Sequence, residues 1–174
     1  WAALESFMGA PKEAERILQD ALREAGKSGD VQKKQQMALA HVLLAQLKFI
    51  HQLEPQEGEK ALADAEADAD AADDLETSFL ILEAQSHHAL LVKGNYTAAL
   101  ELANQALALL PEPTPRALLL AARANEALAV AAGVDGRSHL AKAFQLADRA
   151  YILAEADEDK EGRADALALE GRLN

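Results

Sequence analysis

At 174 residues, half of them apolar but only 4% aromatic, the chain is long enough to bury a core, and alanine and leucine dominate it. Its net charge of −12, with no cluster of Lys or Arg, argues against nucleic acid and anionic membrane surfaces as partners and for neutral or basic ones. The absence of cysteine excludes disulfides and thiolate metal sites. No uninterrupted apolar run approaches membrane-spanning length, and no alternation of β-branched or aromatic residues reaches strand length, so the pattern reads as all-α.

In chain order, Trp1–Met8 reads as the tail of a helix ended by Gly9. Pro11 suits a first helical turn, which predicts a helix over Pro11–Ala25, closed by Gly26-Lys27-Ser28-Gly29 with Asp30 as the next N-cap. A long helix over Gln32–Leu53 stops before Pro55, and an acidic one follows over Gln56–Asp73. Thr77 or Ser78 caps a helix running to Lys93, and Gly94-Asn95 makes a turn. Tyr96–Leu110 is halted by Pro111, Pro113 and Pro115, and Arg116–Ala132 ends at Gly133. Val134–Ser138 is a loop, and helices over His139–Glu155 and Lys160–Leu173 close the chain. The short connections imply antiparallel neighbours.

Four of these segments carry the same stripe: Ala14/Leu18/Ala21, Ala65/Ala69/Ala72, Ala99/Ala103/Ala106 and Ala143/Ala147/Ala150. Offsets of four and three put the three residues on one helix face, and small residues there let a neighbouring helix approach closely. The copies start 51, 34 and 44 residues apart, which is repeat spacing with insertions of unequal length.

The stretch Gly94-Asn95-Tyr96-x2-Ala99-x3-Ala103-x2-Ala106-x4-Pro111 resembles the second half of a tetratricopeptide repeat. Gly9 with Ala14/Leu18/Ala21 repeats its offsets, and Leu167, Ala168 and Gly171 look like the start of a further copy. His87 stands where the family usually has Gly or Ala, and Glu83 where it has a large apolar residue. The resemblance implies antiparallel helix pairs stacked in a right-handed α-solenoid, about three full pairs flanked by half repeats. Half repeats at both ends suggest a single repeat domain excised from a longer protein.

In that family the first helix of each pair lines a concave groove for a peptide or a partner helix. Carried over residue by residue, the resemblance assigns to the groove Ile81, Ala84, Gln85, His88 and Leu91 in the best-matched repeat. The long helix before it would supply Leu39, Val42, Leu43, Gln46 and Phe49, and the helix after Pro115 would supply Leu118, Leu119, Ala122, Asn125 and Glu126. The Lys, Asn and Arg set with which the family clamps chaperone tails is not at these positions, so a mixed apolar groove for a short linear or amphipathic segment is expected.

Catalytic and metal chemistry find little footing. The nine carboxylates of Glu57–Glu76 lack the turn glycine and final Glu of a calcium loop, and read as a solvated helix face. His87 and His88 point about 100° apart on a helix, with His87 expected at a helix–helix contact and His88 toward the groove. His41 and His51, ten apart on another helix, also share no face, and His139 heads a third helix. No nucleophile elbow, phosphate loop, HExxH or dinucleotide fingerprint occurs. The expectation is a soluble, intracellular, non-catalytic protein-interaction module without a cofactor. A structural spacer or self-association element, dimerising through open end repeats, is the alternative.

Overall fold

The computed structural model describes residues 10–27, 30–52 and 54–173 (backbone only at 51 and 52). Among these the chain is helical, with no strand, and neighbouring helices pack on one another. The helices are α1 (Pro11–Ala25), α2 (Val31–Leu47), α3 (Pro55–Ala72), α4 (Leu75–Leu91), α5 (Tyr96–Leu109), α6 (Pro115–Ala132), α7 (Arg137–Ala156) and α8 (Lys160–Leu173). The helix tail expected at Trp1–Met8, with its Gly9, lies outside the described residues, as do Ser28, Gly29 and Leu53.

Prolines open α1, α3 and α6, where a missing N–H costs nothing. Asp30, Asn95 and Thr114 accept hydrogen bonds from Gln32, Ala98 and Ala117 backbone N–H groups at 3.3, 3.1 and 3.2 Å and so cap α2, α5 and α6. α4 starts earlier than the Thr77 or Ser78 cap expected for it. Asp74 takes that role, accepting from the Glu76 N–H at 3.3 Å and from the Thr77 hydroxyl, which leaves Thr77 within the first turn. α2 is shorter than expected: after Leu47 it widens into a π-helical turn, Lys48–Gln52. The loop expected after Gly133 is a 3-10 turn, Gly133–Gly136.

Contacts divide the chain into two compact units, residues 1–84 and 85–174. Helical arrays have this property because each pair touches only its neighbours. α4 contributes to both. In the first unit α2 packs on α1 and on α3, and the core joins Ala38, Val42, Ala45 and Phe49 of α2 and its π turn with Ala61, Leu62, Ala65 and Ala69 of α3. Ile81 and Ala84 from the first part of α4 complete it. Gly58 of α3 sits where the Phe49 ring crosses, and a Cβ there would overlap the ring.

In the second unit α6 packs on α5 and α7, α7 on α8, and α6 also reaches α8. Ala99, Ala103 and Ala106 of α5 and Ala143, Ala147 and Ala150 of α7 are fully buried, as their stripe predicts. Gly136 closes tightly on the Ala129 backbone, where a side chain has no room. By length and composition the stretch Pro115–Ala156 is apolar enough to cross a membrane, contrary to the sequence expectation that nothing here is. Half of its apolar window is buried inside this unit.

Candidate functional site

The second unit carries a pocket of about 530 Å³. Its walls come from alternate helices: His87, Leu90 and Leu91 at the end of α4, Arg123, Glu126, Ala127 and Val130 on α6, and Arg172 on α8, with Tyr96 entering from the first turn of α5. Spacing explains the α6 face, since 123, 126, 127 and 130 recur at helical offsets of three and four. Leu91 and Val130 are 75% and 79% exposed, so two large apolar side chains face solvent within one concavity.

Two ion pairs join α6 to α8 at its edge. Arg172 donates through Nε and Nη2 to the two oxygens of Glu126 at 3.0 and 3.1 Å, a bidentate pair. Those bonds hold the Arg172 guanidinium above its ordinary pKa, against a smaller opposing effect of burial, and the nearby Asp165 charge adds to them. Arg123 donates through Nη2 to Asp165 at 2.9 Å. The cations are thus matched by carboxylates, and the pocket offers an apolar floor beside a fixed, locally neutral polar edge.

Of the expected groove residues the structure brings Leu91 and Glu126 together in this pocket. Leu39 is exposed, while Leu43, Gln46 and Gln85 are half-buried. Val42, Phe49, Ile81 and Ala84 belong to the core of the first unit, and Leu118, Leu119 and Ala122 are buried in the second, so they have no surface to offer a partner. Asn125 is buried as well. Its amide donates to the Ala121 carbonyl at 2.8 Å, and its oxygen lies 3.0 Å from His139 Nδ1.

The histidine pair is reversed from expectation: His87 lines the pocket and His88 is buried. Helices such as α6 are apolar nearly all round, so sequence periodicity alone does not separate the groove face from the core face. The sequence signal that was missed is Arg172 with Arg123. Only the fold brings these two arginines to one edge.

The acidic segment is largely solvated, as expected, with Glu57, Glu59, Asp64, Glu66 and Asp70 exposed. Asp68 departs from this: it is buried, 2.7 Å from Lys34 Nζ and 3.4 Å from His41 Nδ1. Among the described residues no group of three His, Cys, Asp or Glu is placed to hold a metal ion. No family model, curated protein or solved structure matches this chain.

Proposed function

We propose that this chain is a tetratricopeptide-like helical-repeat module that binds a peptide or partner helix at the pocket of its second unit. The observation that carries the reading is the construction of that pocket from alternate helices α4, α6 and α8, with Leu91 and Val130 exposed in it. Alternate helices facing one concavity is the arrangement by which a right-handed solenoid of helix pairs would present a groove. The two fully buried alanine stripes of α5 and α7, on the intervening helices, support the same pairing. Preformed concavities with exposed apolar anchors and a polar rim suit a short linear or amphipathic segment.

The test is to pan a random 16-residue peptide library on the purified chain and map the selected peptides by amide chemical shifts. Shifts concentrated at Leu91, Val130 and Arg172, with affinity lowered at least tenfold by Leu91→Asp with Val130→Asp at little change in Tm, support the reading. Shifts elsewhere, or equal affinity of the double variant, overturn it. A concentration-dependent dimer by light scattering, with no peptide selected, favours the spacer or self-association role.

A further inference from the structure

The polar edge of the second unit's pocket carries a selectivity of its own, rooted in the asymmetry of the Glu126–Arg172 pair. Glu126 sits on the pocket-lining stripe of α6, beside Ala127 and one turn before Val130. Its side chain is 21% exposed against 54% for that of Arg172. The carboxylate is therefore the deeper partner and the guanidinium the outer one, with two N–H bonds, at 3.0 and 3.1 Å, that occupy both carboxylate oxygens. Arg123, three residues before Glu126 on the same stripe, is matched by Asp165 of α8 at 2.9 Å.

The chain as a whole is strongly acidic, with a net charge of −12 that attracts basic partners at a distance. The pocket does not continue that field. A partner's Lys or Arg brought onto Leu90, Leu91, Ala127 and Val130 would lose its water and find Glu126 already bonded through both oxygens. A partner's Asp or Glu would meet two guanidiniums already paired, and could bind one only by leaving Glu126 or Asp165 uncompensated. Either charge is desolvated against pairs already made. An apolar side chain bears no such cost and covers the exposed Leu91 and Val130.

We propose that Glu126 and Arg172 are the specificity-determining pair of this pocket, a pre-paired wall that rejects charged side chains and selects a partner segment whose pocket-facing residues are apolar and uncharged. The inference rests on the binding role proposed for the pocket and adds the partner's chemistry to it. The acidic field acts on encounter, and the pair acts on which residues enter.

The test is to pan the same random peptide library on the wild-type chain, on Arg172→Met and on Glu126→Gln, at about 0.15 M salt where surface fields are screened. Proton contacts to the Leu91 and Val130 methyl groups then mark the pocket-facing peptide positions. Wild-type selections should be apolar and uncharged there. Arg172→Met uncovers the deeper carboxylate and should raise Lys and Arg at those positions at least fivefold. Glu126→Gln frees the outer guanidinium, which the Asp165 charge also attracts, and should raise Asp and Glu about twofold. A wild-type peptide with one pocket-facing residue changed to Lys should bind the wild-type chain at least tenfold more weakly, and Arg172→Met within about twofold of the parent peptide. A partly unfolded variant would weaken every peptide alike without inverting the preference, and Glu126→Gln, nearly isosteric with the native side chain, decides the question should Arg172→Met lower Tm. The same residue frequencies from all three chains, or charged residues at these positions in the wild-type selections, overturn the proposal alone. Peptides that make no contact with Leu91 and Val130 overturn the pocket reading and this inference with it.

Discussion

The same alanine stripe is used differently in the two units. In the second unit Ala99/Ala103/Ala106 and Ala143/Ala147/Ala150 are buried to the last residue, and the ion pairs stay at the rim, Arg123 with Asp165 and Arg172 with Glu126. In the first unit Ala72 is half-buried, Leu18 is half-buried and Ala21 lies in solvent. There the helices are tied by charges drawn inward: Asp68 paired with Lys34 joins α2 to α3, and Lys48 joins Glu15 to Glu54. A small-residue stripe is therefore permission for close packing, and becomes a contact only where a neighbouring helix runs along its whole length. Where the neighbour covers part of it, polar clasps hold the pair.

The comparison can be broken most directly at the stripe. Ala103→Leu should destabilise the chain by about 3 kcal/mol, since a fully buried methyl site has no room for three more carbons. Ala21→Leu in solvent-facing α1 should change stability by less than about 0.5 kcal/mol. Equal melting shifts for the two would show that the stripes are packed alike. Gly136→Ala forces a Cβ onto the Ala129 backbone and should cost about 2 kcal/mol by chemical denaturation. Gly58→Ala meets the Phe49 ring instead; overpacking of about 2 kcal/mol is offset by about 1 kcal/mol of better helix propensity, leaving a loss of about 1 kcal/mol.

The ionic clasp has a pH signature. Burial works against the charge on Lys48, but its hydrogen bonds to Glu15 and Glu54 outweigh that and leave its pKa above the ordinary 10.5. A raised lysine stabilises the fold fully below its unfolded value, and that contribution fades as pH rises through the folded value. Stability measured from pH 9 upward should therefore fall past about 10.5, and Lys48→Met should flatten that limb. A slope unchanged in Lys48→Met would assign the alkaline loss to other groups. The smallest effect belongs to the rim: Arg172→Ala should cost only about 0.5 kcal/mol, because an exposed ion pair is largely offset by solvent screening.

Much of the helical layout was legible from punctuation. Pro11, Pro55 and Pro115 mark helix starts, and α1 and α8 have the bounds expected from the sequence. The missed boundaries have local causes: Asp74 competes with Thr77 for the cap, and α2 ends in a π turn that no propensity marks. The site was far less legible. Of the fifteen residues read as groove-lining, Leu91 and Glu126 reach the pocket, whereas Leu118, Leu119 and Ala122 on the same apolar helix as Glu126 are core. Arg172 lies 46 residues from Glu126, and nothing local to either announces the pair.

By itself the sequence determined what depends on neighbours along the chain: helix periodicity, proline and cap positions, the small-residue faces and the acidic surface. Tertiary structure alone decided which sides of α2 and α6 are core, which acid is buried, and where two arginines meet an exposed Leu91 and Val130. The reason is that burial is a property of what packs against a face. In helices apolar nearly all round, several faces carry the same residues, and only the partner helix distinguishes them.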